Sequence, residues 1–147
     1  MNDFPKELKK HLEFIRRARG RVLVTGLGLG CVIRGLIAND KVDHIDVVER
    51  SRDVIKLCWP WAVDARLFKI QPLVTLHQMD ANRQLPPGTW DYAWHDLWSD
   101  PERGERHLQV LHSKLFTKLH KRVRVQGAWA APRWLRHRRL QKGFETI

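Results

Sequence analysis

Short, unbroken apolar runs alternate along this chain with stretches whose apolar residues recur at helical spacing. Val22-Leu23-Val24-Thr25 is aliphatic or β-branched throughout and reads as a fully buried strand. Similar runs follow from about His44 to Val48, at Leu73-Val74-Thr75-Leu76-His77, at Trp90 to His95 and at Val123 to Trp129, giving five strands. Helical spacing lies between them. Residues 4–19 place Leu8, Leu12 and Ile15 on one face, with Asp3 as N-cap, Pro5 in the first turn and Gly20 at the end. Val32, Ile33, Leu36 and Ile37 mark a second helix ending near Ala38. Ser51 caps a third, which Pro60 stops or kinks. A short helical turn is expected over Asn82–Leu85, before Pro86-Pro87-Gly88. A long helix runs from about Glu102 to His120, with Leu108, Leu111, Leu115 and Leu119 on one face, and a last one starts near Pro132. Residues 59–71 lack a clean period and read as an irregular connection.

Strands alternating with helices predict an α/β fold: a parallel, Rossmann-like sheet with helices on both faces. Right-handed crossovers and a reversal after strand three give the order 3-2-1-4-5. Ligands of such sheets bind at the C-terminal ends of strands one and four, where the order reverses. The first helix is expected to cover that edge.

Length fits one domain over residues 1–147, with 43% hydrophobic residues to form its core. No run of about 18 apolar residues offers a membrane span, and the N-terminus lacks the apolar core of a signal peptide. Cys31 and Cys58 are the only cysteines, which fits a reducing, cytoplasmic setting rather than a disulfide framework. No histidines or carboxylates show a metal-ligand spacing. The net charge of +11 is uneven: residues 1–50 carry +3, residues 51–101 carry −1 and residues 102–147 carry +9. The basic last third is either a solvated surface or a surface for nucleic acid.

The candidate chemistry begins at Thr25-Gly26-Leu27-Gly28-Leu29-Gly30. A glycine-rich turn between a buried strand and a helix lets a ligand approach the main chain. Glu49 closes the second strand 19 residues after Gly30, near the roughly 20-residue spacing at which a carboxylate meets a ribose diol. A dinucleotide fingerprint needs its third glycine one residue later, where Cys31 stands. Three readings stay open on these residues: an S-adenosylmethionine (SAM) site, a dinucleotide site and a structural turn.

The pattern Val22-Leu23-Val24-x-Gly26-x-Gly28-x-Gly30 resembles motif I of class I SAM-dependent methyltransferases, in particular the spermidine-synthase-like branch. Three further blocks resemble that branch: Asp46-Val47-Val48-Glu49, Met79-Asp80-Ala81 after strand three, and Trp90-Asp91-Tyr92-Ala93-Trp94-His95-Asp96 followed by Asp100-Pro101. The resemblance covers about residues 18–101. It implies SAM as cofactor, held by Thr25, Gly26, Gly28, Gly30, Glu49 on the ribose, Asp80 and Ala81 at the adenine, and Asp96. It implies Asp96 and Asp100 as the catalytic acids facing the acceptor. Structural alternatives exist for each acid: Glu49 paired with Arg50 or Arg52, Asp80 capping a short helix, Asp100 capping the long one.

Trp94, Trp98, Trp129 and Trp134 either wall an acceptor pocket or fill the core. His95 is either an acid/base neighbour of Asp96 or a satisfied core histidine. Three residues separate Asp96 from Asp100, one more than in aminopropyl transferases, and the β-rich N-terminal domain of spermidine synthases has no counterpart. The β-hairpin that ends many class I methyltransferases is missing as well. The expected activity is methyl transfer from SAM to a small-molecule or macromolecular acceptor. Aminopropyl transfer is the enzymatic alternative, and a non-catalytic SAM-binding or nucleic-acid-binding module is the third reading.

Overall fold

A computed structural model describes residues 5–64, 73–97, 104–128 and 145–146. Among these residues six strands form one sheet: β1 (Gly20–Thr25), β2 (Val42–Glu49), β3 (Leu73–Gln78), β4 (Trp90–His95), β5 (Val123–Ala128) and β6 (Glu145–Thr146). Their order is β3-β2-β1-β4-β5-β6, every recorded pairing is parallel, and the first five match the expected order. The two-residue β6 beside β5 was not expected. A run that short carries no period to read.

Side chains alternate across the sheet and divide its core in two. Val22, Val24, Ile45, Val47, Tyr92 and Trp94 face helices α1 (Pro5–Arg17), α2 (Cys31–Ile37) and α3 (Arg52–Ala62). Leu23, Val48 and Ala93 face the other way, toward Leu115 and Leu119 of α4 (Gly104–Leu119). Phe14 of α1 packs 4.9 Å from the Trp94 ring, and its neighbour Ile15 abuts Gly35 of α2. The first helix therefore lies on a sheet face rather than over the ligand-side edge.

One expectation changes at Pro60. Helix α3 runs through Pro60 to Ala62, so residues 59–62 are helical, not irregular. The ring removes the bond to Lys56, which lies with Pro60 on the exposed side of the helix. The short helical turn expected at Asn82–Leu85 begins slightly earlier, as a single turn in which Asp80 O accepts from Arg83 N and Gln84 N, both at 2.9 Å. No helix among the described residues fills the β3–β4 crossover. The last helix expected from Pro132 lies outside the described residues. No described helix is long and apolar enough to cross a membrane.

Gly30 is the left-handed N-cap of α2, at φ +80°, and a Cβ there would lie 2.7 Å from the Ala62 Cβ. The third glycine thus admits α3 against the turn. Gly30→Ala is expected to destabilise the protein by about 2–4 kcal/mol, combining left-handed strain with overpacking. A denaturant melt of the variant within error of wild type would remove this role.

Candidate functional site

The glycine turn is built by hydrogen bonds from the strand ends around it. Gly26 N donates to Val48 O at 2.8 Å, and Asp96 N donates to Thr25 O at 2.8 Å. A Cβ on Gly26 would stand 2.1 Å from the Asp96 carbonyl oxygen, and its φ is +92°. Only glycine lets β1 and β4 close to this distance. Above them, a Cβ on Gly28 would lie 3.6 Å from Asp96 Oδ2, so the Asp96 carboxyl stands beside the turn.

Glu49 serves the turn from the next strand. Its Oε2 accepts from Leu27 N at 2.9 Å and its Oε1 from Ser51 N at 2.8 Å. The carboxylate therefore latches the glycine turn to the start of α3, instead of pairing with Arg50 or Arg52. Each oxygen offers about two acceptor positions, so one on each remains for a ligand's hydroxyls. Ser51 caps α3, its Oγ accepting from Val54 N at 3.3 Å.

Asp80 follows β3. Its Oδ1 accepts from Asn82 N at 2.9 Å, so it does cap the turn it opens. Its Oδ2 approaches the exposed Arg83 Nε only at 3.9 Å. Met79 N donates to Glu49 O at 3.1 Å, which ties this segment to the end of β2.

These strand ends enclose a cavity of about 610 Å³. Gly26, Gly28, Glu49, Asp80, Ala81 and Asp96 line it together. Thr25 and Gly30 do not. Thr25 is fully buried with its hydroxyl 2.9 Å from His95 Nδ1, and Gly30 packs on Ala62. Asp100 lies outside the described residues, as do Trp98, Trp129 and Trp134. Trp94 is buried beneath α1 and is a core residue, not a pocket wall.

His95 is also core. Its Nε2 lies 3.0 Å from Gln126 Oε1, and Gln126 Nε2 donates to Phe116 O at 3.3 Å. The glutamine is thereby oriented with its carbonyl toward the ring, so His95 donates from Nε2 and accepts from Thr25 at Nδ1. Burial drives its pKa down to about 3, with the His112 charge adding and the Gln126 bond opposing. A neutral, doubly bonded imidazole has no spare proton site for acid/base work.

The cavity has members that the sequence reading did not single out. His107 and Leu111 reach it from α4, and Val54, Leu57 and Cys58 from α3. The i, i+4 spacing of His107 and Leu111 was the available signal, since such residues share a helix face. Behind them, Leu97 N donates to His112 Nε2 at 3.3 Å, fixing the first residue of the loop after Asp96. Among the described residues no cluster of histidine, cysteine and carboxylate has the form of a metal site.

No family model matches the sequence, and no curated protein does. Solved structures match at the level of fold. TrmN from Thermus thermophilus superposes with a TM-score of 0.56 at 15% identity, over 79% of this chain and 34% of that one. The N-methyltransferase NodS from Bradyrhizobium japonicum WM9 gives 0.55 at 12% identity, over 81% and 65%. A SAM-dependent methyltransferase from Clostridium acetobutylicum ATCC 824 gives 0.54 at 17%, over 78% and 46%. The chain spans less than two thirds of the length of each of these structures. These three structures do not bear on the spermidine-synthase-like branch. The parallel sheet in the order 3-2-1-4-5, with helices on both faces, is the Rossmann-like fold that this chain shares with these solved structures.

Proposed function

We propose that the chain binds SAM over the glycine turn and transfers its methyl group to an acceptor. The observation that carries this reading is the single cavity in which Glu49, Asp80 and Asp96 converge on Gly26 and Gly28. Its volume of about 610 Å³ suits a nucleoside-sized ligand. The fit of the residues supports it. Glu49 retains one acceptor position on each oxygen, matching the two hydroxyls of a ribose. Asp80 Oδ2 is available to an adenine amine beside Ala81, and the bare main chain of Gly28 leaves room next to Asp96.

SAM brings its own activated methyl on a sulfonium, so the protein needs to supply alignment rather than a nucleophile. In this reading Glu49 and Asp80 hold the nucleoside. Asp96 faces the acceptor, and His107 and Leu111 close the far wall. The similarity in fold to solved methyltransferases supports the reading without naming an acceptor.

The same residues favour methyl over aminopropyl transfer. A polyamine acceptor needs several carboxylates to offset its charge. With Glu49 and Asp80 on the nucleoside, Asp96 alone of these three acids remains for it. A thermal-shift series with SAM, S-adenosylhomocysteine, decarboxylated SAM and NAD tests both points. The first two are expected to raise the melting temperature by several degrees, and NAD to leave it unchanged. Stabilisation by NAD alone would replace the SAM reading with a dinucleotide one. Incubation with decarboxylated SAM and putrescine is expected to yield no spermidine by mass spectrometry, and a spermidine product would reverse the ranking.

A further inference from the structure

The charge of this protein is organised by the sheet. The cavity takes the C-terminal ends of β1, β2, β3 and β4, where Glu49, Asp80 and Asp96 stand. The opposite edge, roughly 20 Å away along six-residue strands, is basic. Arg19 and Arg21 stand at the start of β1, Arg122 and Arg124 at the start of β5, Lys118 at the end of α4 and Lys121 in the turn after it. The carboxylates among them are Asp91 and the buried Asp46. Asp40 and Asp43 lie farther along, at the start of β2.

Three of these arginines are held against aromatic rings of β4. Arg19 lies 5.7 Å from the Tyr92 centroid, and Trp90 is flanked by Arg21 at 5.7 Å and Arg122 at 4.9 Å. Arg122 Nε also donates to Gly88 O at 2.8 Å, with Nη2 donating to Pro86 O at 2.5 Å. Lys118 Nζ donates to Arg83 O at 3.1 Å. Arg124 is 78% exposed and stands 3.7 Å from Asp91. Lys118 in the last turn of α4 is explained by the helix dipole. Lys121, Arg122 and Arg124 lie beyond that helix, and Arg21 is on a strand, so the dipole does not account for them.

We propose that this edge of the sheet, between β1 and β5, is a binding surface for the phosphodiester backbone of a nucleic acid. Arg21, bound to Asp46 at 2.8 Å, and Arg122, bound to the Gly88 and Pro86 carbonyls, are anchored and lose little freedom on binding, while the exposed guanidinium of Arg124 can meet phosphate oxygens in pairs. A protein partner would require an apolar centre to its interface. The large exposed hydrophobic residues recorded for the described chain, Leu12, Leu29, Leu57, Trp61, Leu73 and Val110, all lie off this stretch of edge. The surface is polar and strongly positive, as nucleic-acid interfaces are. The inference stands apart from the cavity, and its failure would leave the SAM reading untouched.

The test is fluorescence anisotropy of the whole chain with short labelled RNA and DNA, each single-stranded and duplex, between about 50 and 200 mM salt. Binding is expected at the lowest salt and is expected to fall steeply as salt rises. The pair Lys121→Glu and Arg124→Gln is expected to weaken it about tenfold or more and to lower the log–log salt slope by about 2. The pair Lys9→Glu and Lys10→Gln on α1 makes the same change in net charge and is expected to bind close to wild type. The four probes identify the preferred strand type. S-adenosylhomocysteine affinity and the melting temperature, measured on every variant, are expected to be unchanged. No binding at the lowest salt, or equal losses in both pairs, would overturn the surface. Displacement of RNA by polyglutamate at equal charge concentration would overturn it in favour of an acidic protein partner.

Discussion

Glu49→Ala is expected to weaken S-adenosylhomocysteine binding by about 1.5–3 kcal/mol, roughly tenfold to more than a hundredfold. It is also expected to lower stability in the absence of ligand. The two effects have one source. Glu49 accepts the Leu27 and Ser51 amides, so truncation leaves two main-chain donors without their partner. Leu27 is 3% exposed, and an unsatisfied donor there costs about 1–3 kcal/mol. The turn that carries the ligand then loosens at the position where the ribose contact is lost. Glu49→Gln separates these contributions. Its single oxygen satisfies one amide while its NH₂ meets the other donor, so stability should fall less than in the alanine variant while affinity still drops. Calorimetry together with denaturant melts reads both. Unchanged affinity in a folded Glu49→Ala protein would eliminate the ribose assignment and leave the latch.

The second large effect concerns Asp46, which never touches the cavity. Its carboxylate is 2% exposed. Oδ2 accepts from Trp90 Nε1 at 2.7 Å and from Arg21 Nε at 2.8 Å, and Oδ1 lies 2.8 Å from His77 Nε2 and 3.3 Å from His44 Nε2. Three strands meet on this one side chain, at the part of the sheet where the β3–β4 crossover supplies no helix. Asp46→Ala is expected to destabilise the fold by about 3–5 kcal/mol, the range for breaking a buried ion pair. Asp46→Asn, which keeps an acceptor for Arg21 and Trp90, should lose less.

Acid should weaken the native state through two groups in different windows. Burial is the largest influence on the Asp46 carboxyl and opposes its ionisation. The hydrogen bonds from Arg21, His77 and Trp90 and the charge of His44 together outweigh it, so its pKa lies below the usual 3.8. Its contribution is present above that value and is lost as pH falls through the lower, native one. His95 is likewise depressed, from 6.5 to about 3, and its contribution is complete above 6.5 and fades down to 3. Between pH 7 and 5, then, His95 acts and Asp46 does not. The unfolding free energy of wild type should decline there with a slope approaching 1.4 kcal/mol per pH unit more than that of His95→Gln. Equal slopes in urea melts would show that the ring is protonated without penalty.

The strands were legible in the sequence because strands of a parallel sheet leave short apolar runs, and here the glycine, proline and polar residues that bound them keep those runs too short for helices. Order followed from handedness rules that do not depend on side chains. Helix α3 was harder, since proline reads as a stop or a kink although its missing bond falls on a solvent-facing turn. The cavity acids were legible for a related reason: Glu49 ends a strand, Asp96 directly follows one and Asp80 stands two residues beyond one, and strand ends define the ligand edge. What was not legible was division of labour. Nothing in the one-dimensional pattern says that Glu49 already serves two amides, that Thr25 turns its hydroxyl to His95, or that Trp94 packs beneath Phe14. Asp46 was read only as part of the second strand and of a family block. Its role depends on Arg21, His77 and Trp90, which meet it from three other strands and lie at sequence separations of 25, 31 and 44 residues.

The chain of hydrogen bonds from Thr25 through His95 and Gln126 to Phe116 also makes this protein easy to watch. A ring locked as the Nε2–H tautomer inside the core has its proton shielded from water on the exchange timescale. In a nitrogen-15 spectrum that ring should give one donor and one acceptor signal across neutral pH, with a separate downfield proton resonance. The resonance sits between β1, β4 and β5 immediately behind the glycine turn. Its loss on warming, or its shift when a ligand settles on Gly26 and Gly28, would report the state of the site from within, without any label on the site itself.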